Sequence, residues 1–356
     1  MMKKSFNICY LLETAALHGG VRIVFDQARA LVARGHRVMV RAVHGDHRWY
    51  PYPVEVSYVA DLGQPFTDFS PDVVVATFWT TVSSALVLEV PLTVHLCQGC
   101  EWEMPEYGDR KEAIEQAYAR PIPKITIGPW LNERLEGHFS HGLFPLESVG
   151  QIVDTVLYRP RPPVSCATGN DQRQSPCSIL VVGMFEAWVK GIAIALEAVE
   201  MLRAEGFDLR VIRVSTLPLS PEEQERFQPD IYHHCLTPTQ MAEVYRQADI
   251  FVTPSRSAEG FGLPFVEALA TGLPTVATAI PSHLSFDRKH DYACFVPEGD
   301  PVALAAGLRQ LLDDDNRCLA LSRRAVEVVQ NRFQADVVAA RLESCFQRWL
   351  NGQGNE

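Results

Sequence analysis

Long apolar runs are missing from this chain: none approaches the about 20 residues that a membrane-spanning helix requires. The segment after Lys3-Lys4 imitates the start of a secretory leader, but Asn7 and Glu13 interrupt it, and the expected location is the cytoplasm. A disulfide framework is missing as well, because the nine cysteines are odd in number and scattered. Cys97-Gln98-Gly99-Cys100 has the C-x-x-C spacing, yet no second pair, no histidine cluster and no proline in the turn accompany it, which argues against zinc or redox duty. Excess positive charge is also absent, and the formal net charge of −11 disfavours a general nucleic-acid binder. No G-x-G-x-x-G follows the first apolar run, and Arg37 to Arg41 stand where a nicotinamide-binding unit wants an acidic residue.

What is present is an ordinary globular composition, 47% hydrophobic and 21% charged, on a chain of 356 residues. That length suits two domains of about 150 to 180 residues, each with a sizeable core. Phe6 to Leu12 reads as a strand, Val21 to Arg34 as a helix and Arg37 to Ala42 as the next strand, a βαβ opening. Further buried strands are expected at residues 71–77, 91–96 and 124–127. Residues 160–176, poor in large apolar side chains, mark a connection. A second alternating unit then runs through strands at 178–183, 209–214 and 250–253, with helices between them, and a last helix is expected over 334–350. The resulting division is 1–160, a linker at 161–177, a second unit at 178–333 and a C-terminal helix from 334.

The first 48 residues carry Lys3, Lys4, Arg22, Arg29, Arg34, Arg37, Arg41 and Arg48 against Glu13, Asp26 and Asp46. Such an edge either contacts an anionic membrane or phosphorylated partner peripherally, or is a solvated face. The spread of the charges favours the second.

The most informative segment runs from Ser255 to Pro274. Ile250-Phe251-Val252-Thr253-Pro254 is a short buried strand that stops at proline, and Gly260-Phe261-Gly262 then lets a ligand approach the backbone before Leu263 and Pro264 open a helix. Glu259 stays in the loop while Glu267 lies about one turn inside the helix, so two carboxylates reach two parts of one ligand, with the helix amides facing a phosphate. Gly183-Met184-Phe185-Glu186-Ala187-Trp188-Val189-Lys190-Gly191 follows the first strand of the second unit and opens at the carboxyl edge, where α/β sheets bind ligands. Gly19-Gly20 sits at the first strand-to-helix turn and is either a plain tight turn or a place for backbone amides to meet a diphosphate.

The Glu259 to Glu267 spacing, followed by Gly272-Leu273-Pro274-Thr275-Val276-Ala277-Thr278, resembles the E-x7-E signature of retaining glycosyltransferases of the GT-B fold, family 4 type. The resemblance implies two Rossmann-like doubly wound domains facing across a cleft. It implies that Glu259 holds the donor sugar, Glu267 the ribose, and Lys190 the diphosphate of a nucleotide sugar. Lys190 matches the family's Gly-Arg-(x)5-Lys-Gly pattern from Gly183, but Met184 occupies the arginine position, and Arg256 or Arg22 is then wanted as a second cation. By the same resemblance His95 lies near the transferred sugar, and Gln98, Gly99 and Glu101 line the acceptor side. Residues 150–160 resemble the family's domain crossing. The implied reaction moves a sugar to a hydroxyl of a glycan, lipid-linked or small-molecule acceptor, from the face that the diphosphate leaves. No cofactor and no metal are expected, in line with the lack of a D-x-D at a fitting strand end. A sugar-nucleotide epimerase of the same fold, or a binding protein that has lost catalysis, stays open as an alternative.

Overall fold

The computed structural model describes residues 5–139, 142–160 and 176–352. Most of the expected linker, 161–175, lies outside the described residues. The chain divides into two compact units: one runs up to Ile152 and takes in the residues from Phe333 on, and the other is Val153–Arg332.

The first unit holds a seven-stranded sheet made of β1 (Asn7–Thr14), β2 (Arg37–His44), β3 (Val56–Tyr58), β4 (Val73–Ala76), β5 (Leu92–Cys97), β6 (Lys124–Thr126) and β7 (Leu146–Ser148). All neighbours are parallel, in the order β3-β2-β1-β4-β5-β6-β7. The second unit holds β8 (Cys177–Val182), β9 (Leu209–Ser215), β10 (Ile231–His234), β11 (Ile250–Thr253), β12 (Thr275–Thr278) and β13 (Cys294–Val296). Its order, β10-β9-β8-β11-β12-β13, is again all parallel and repeats the same winding. The central strands are covered on both faces, which is why they read as continuous apolar runs such as Val73-Val74-Val75-Ala76. In each sheet the strand order reverses beside the first strand, between β1 and β4 and between β8 and β11. Crevices at the carboxyl edge of such points bind ligands.

The expected boundary moves. Residues 153–160 belong with the second unit because Tyr158 is fully buried there, meets Tyr245 edge-to-face at 5.8 Å and donates to the Pro238 carbonyl at 3.3 Å. The last helix, Ala335–Leu350, packs on helix Gly19–Ala33 of the first unit. Glu343 anchors it there, accepting from Arg34 at 2.6 Å and facing His36 Nε2 at 2.8 Å. Arg348 reaches Glu147 at 2.6 Å on the same unit.

Helix starts follow their local chemistry. Thr237 and Gln240 form a reciprocal capping box ahead of Pro238–Gln247, and Asp300 caps Pro301–Asp313 through the Ala303 amide. The basic N-terminal stretch does not make one free patch. Arg22 pairs with Asp26 at 3.7 Å, Arg34 with Glu343, and Arg48 with Asp46 at 2.5 Å, while Arg41 is buried and donates to the Leu62 and Gln64 carbonyls. Lys3 and Lys4 lie outside the described residues.

Candidate active site

The densest set of sequence-expected residues gathers at the β8/β11 reversal. The loop leaving β8 ends in a 3-10 turn, Trp188–Lys190, closed by Gly191. Gly191 has φ +60, and a Cβ there would stand 2.4 Å from the Pro254 carbonyl oxygen, so only glycine lets this loop lie against the end of β11. The Arg256 amide donates to the Val189 carbonyl at 2.8 Å and joins the two loops. Lys190 thereby meets Glu259, with Nζ 2.6 Å from Oε2. Gly183 lies beside the Lys190 stem, where a Cβ would come within 3.3 Å of Cγ.

Glu259 is buried, and burial alone would raise its carboxyl. The Lys190 ammonium outweighs that, helped by hydrogen bonds from Lys190 and from Ser255 Oγ at 3.2 Å, and the group ends below the ordinary glutamate value. Ser255 is held in turn by Thr253, and its carbonyl accepts from Thr278 Oγ1. The Arg256 guanidinium stacks over Trp188 at 5.0 Å and donates through Nε to the Trp188 carbonyl at 3.2 Å, so a second cation sits on the Lys190 loop.

Beyond Glu259 the chain passes Gly260 and Phe261, whose buried ring packs on Phe286 at 5.1 Å, to Gly262 at φ +74. Helix Leu263–Ala270 starts there with Pro264 in its first turn and no capping side chain. Glu267 is 3% exposed, and its Oε2 accepts from the Tyr245 hydroxyl at 2.9 Å, whose proton is shared with the Pro264 carbonyl at 3.0 Å. The loop thus holds one carboxylate against Lys190 and the other against Tyr245.

Sequence reasoning missed His283. It lies on the short helix after β12, with Nδ1 3.1 Å from the Thr278 carbonyl. That acceptor requires the proton on Nδ1, which leaves Nε2 a lone pair, and among the described residues Nε2 has no partner. A Cβ on Gly262 would fall 3.0 Å from this atom. Burial lowers the His283 pKa to about 4 despite the Glu259 charge, so the ring is neutral at physiological pH. Its sequence signal, a histidine five residues past a strand end, carries no spacing rule. Among the described residues no group of three or more His, Cys, Asp or Glu side chains gathers as a metal site.

The first unit contributes differently from expectation. The Gly20 amide is taken by His18 Nδ1 at 3.2 Å, an ordinary helix cap, and Gly19 opens the helix as its first residue. The Gln98 amide covers Gly20, where a Cβ would meet Oε1 at 3.2 Å, and Gln98 Nε2 donates to the Thr77 carbonyl at 3.2 Å. Glu101 is buried, and its Oε2 accepts from the Tyr118 hydroxyl at 2.5 Å. Burial raises its carboxyl, an effect that the Tyr118 hydrogen bond only partly offsets. His95 is a correction: it stands inside β5 rather than at its end, is 0% exposed, packs on Tyr118 at 4.7 Å and, among the described residues, has no partner for either ring nitrogen. Burial drives its pKa well below the ordinary value, so it is a neutral core residue. Cys97 and Cys100 are buried free thiols that burial pushes up.

Residues 176–314 match the family model described as glycosyl transferases group 1. The match lies within the second unit. Relatives include the phosphatidyl-myo-inositol mannosyltransferase of Mycolicibacterium smegmatis, 28% identical over 50% of this chain and 46% of its own. The MMP alpha-(1->4)-mannosyltransferase of Mycolicibacterium hassiacum is 30% identical over 66% of this chain and 56% of its own. The chain therefore spans about half the length of the curated relatives it matches. Among solved structures, sucrose-phosphate synthase from Thermosynechococcus elongatus superposes with TM-score 0.75 at 16% identity, covering 98% of this chain and 100% of that one. Anabaena Alr3699/HepE in complex with UDP-glucose gives 0.75 at 14% identity, covering 96% and 99%. At such identities the likeness concerns the fold, which is GT-B as the E-x7-E resemblance implied. No helix among the described residues is long and apolar enough to cross a membrane.

Proposed function

We propose that this protein is a retaining glycosyltransferase that takes a sugar from a nucleotide-diphosphate donor and places it on a hydroxyl acceptor. The observation that carries the reading is the Lys190–Glu259 pair at the β8/β11 reversal, 2.6 Å apart and set in a glycine-bounded loop. A diphosphate arriving at this edge competes with Glu259 for the Lys190 ammonium. Once released, the Glu259 carboxylate accepts from hydroxyls of the sugar, while Glu267, steadied by Tyr245, accepts from the ribose.

The departing diphosphate gathers negative charge, and preorganised cations and amides aimed at it lower the barrier. Lys190 supplies one cation. Arg256, held on the same loop, supplies the second that Met184 does not, whereas Arg22 is engaged by Asp26 in the other unit. The acceptor oxygen bonds to the anomeric carbon on the face where the carbon–phosphate oxygen bond breaks, and the acceptor proton passes to the departing phosphate oxygen. Orientation does the rest, and no protein nucleophile enters. The reading carries with it a cytoplasmic location and a metal-independent reaction, since Lys190, Arg256 and loop amides take the charge.

A thermal-shift panel of UDP, GDP, dTDP and their sugars tests it, because a ligand bound only by the native state raises the melting temperature. The expected result is stabilisation by one nucleotide series, followed by turnover of that sugar that survives EDTA. No shift with any nucleotide, or turnover abolished by EDTA and restored by a divalent ion, would overturn the corresponding part.

A further inference from the structure

We infer that Arg213 is a positioning residue for the Lys190 loop: it fixes the Gly183 end of that loop, and with it the reach of the Lys190 ammonium toward a diphosphate. That the occupant is a nucleoside diphosphate rests on the function proposed above, whereas the hold on the loop rests on the second unit alone.

Arg213 stands in the apolar run of β9, between Ile212 and Val214, and is 0% exposed. A guanidinium keeps its charge wherever it is placed, so this one has to be answered by its neighbours. Its Nε donates to Glu223 Oε1 at 2.6 Å and its Nη2 to Glu223 Oε2 at 3.3 Å. Nη1 donates to the Val181 carbonyl at 2.9 Å and to the Val214 carbonyl at 3.2 Å, and Nη2 also reaches the Gly183 carbonyl at 3.0 Å. These bonds spend all five N–H donors of the side chain. Glu223 is placed in turn, because helix Pro221–Arg226 begins on a Ser220 cap whose hydroxyl accepts from the Glu223 amide at 3.2 Å.

The Lys190 loop begins at Gly183. Its amide donates to the Val214 carbonyl at 2.9 Å while its carbonyl accepts from Arg213, so both polar groups of the residue are fixed, at φ +145. The loop then folds back on it: a Cβ on Gly183 would stand 3.0 Å from Ile192 Cδ1 and 3.3 Å from Lys190 Cγ. Moving Gly183 therefore moves the surface on which the Lys190 stem rests. The far end of the loop is held separately, by the Arg256 amide on the Val189 carbonyl. Because a peptide is planar and trans, turning the Gly183 carbonyl to Arg213 also sends the Met184 N–H the opposite way. Arg213 thus sets the main-chain donor at a position whose side chain has none.

Stability alone does not account for this arrangement. A buried ion pair is seldom worth more to a fold than apolar side chains of similar volume, because both charges give up their water. Apolar side chains could not grip the carbonyls on either side of the turn from β8 into the loop. Such a grip matters most at a binding group, where a misplacement of about 1 Å is costly although the fold survives it.

Isothermal titration of the full chain with UDP, GDP and dTDP, and with the matching monophosphates, tests the inference. Arg213→Lys keeps a cation beside Glu223 but loses the planar fork. In it the tightest diphosphate is expected to weaken by about tenfold or more, with the matching monophosphate nearly unchanged and circular dichroism unaltered. Arg213→Met/Glu223→Met, which leaves neither charge buried alone, is expected to fold and to show the same loss. Unchanged diphosphate affinity in either folded variant, or mono- and diphosphate weakened by the same factor, would overturn the inference. Failure of both variants to fold would make Arg213 a residue of the core and overturn it as well. Amide hydrogen exchange without nucleotide separates the inference from the reading it rests on: exchange at residues 184–191 is expected to quicken in Arg213→Lys while β11 and β12 stay protected. If the wild type binds none of the nucleotides, the glycosyl-transfer reading falls, and quickened exchange there still upholds the hold on the loop. Unchanged exchange refutes that hold.

Discussion

Lys190 and Glu259, 69 residues apart in sequence, form a 2.6 Å ion pair whose carboxylate side is nearly closed to solvent. Each holds the charge that makes the other tolerable in that place. Removing one partner of a buried pair is therefore worse than removing both. Lys190→Met should destabilise the protein by about 3 kcal/mol, and Lys190→Met/Glu259→Gln should recover most of it. Urea unfolding at neutral pH measures both. Additivity of the two single variants would contradict the pairing. Donor turnover should fall by about a hundredfold or more in Lys190→Met, the scale set by losing one preorganised charge-stabilising group.

His283 makes stability depend on acid in a defined window. Its pKa is 6.5 when exposed and about 4 in the fold, so between these values the unfolded chain binds a proton that the folded one does not. Stability contributed by the neutral ring is full above pH 6.5 and declines as pH falls toward 4. The decline amounts to about 3 kcal/mol for this group. His283→Gln should flatten that limb of the stability–pH curve relative to wild type, and parallel curves would refute the assignment.

Gly191→Ala tests the joint between the two loops. The new Cβ would meet a backbone oxygen at 2.4 Å in a left-handed conformation, and neither side can yield cheaply. We expect a loss of about 2 kcal/mol or more and a raised KM for the donor. Gly142→Ala, with positive φ but nothing within 4 Å of the new Cβ, serves as the control in which only backbone strain is felt.

His95→Leu should leave kcat and KM unchanged and stability equal or higher. Neither ring nitrogen has a partner among the described residues, and replacing an unbonded buried polar group by an apolar one removes a desolvation penalty. A fall in kcat with the fold intact would return His95 to the site.

The strands that the sequence made plain are the buried ones. β1, β2, β4, β5 and β6, and later β8, β9 and β11, are covered enough to show as apolar runs. The four that escaped notice, β3, β7, β10 and β13, are the outermost strands of the two sheets, three or four residues long and mostly half-exposed. An edge strand packs little and carries little pattern. In the site, Lys190, Glu259, Glu267 and the glycines were legible because loop geometry imposes their spacing locally. His283 and Tyr245 were not, since each arrives from elsewhere in the chain and is defined only by what it touches.

By itself the sequence determined the βα alternation, the order of the loops at the carboxyl edges and the identity of the two carboxylates, because these depend on residue type and local spacing. Tertiary structure decided which charges meet. It withdrew His95 into the core of β5, set Lys190 against Glu259 and left His283 neutral beside the glycine loop. Burial and partnership set the charge and reach of a side chain, and both are properties of neighbours that no single stretch of sequence contains.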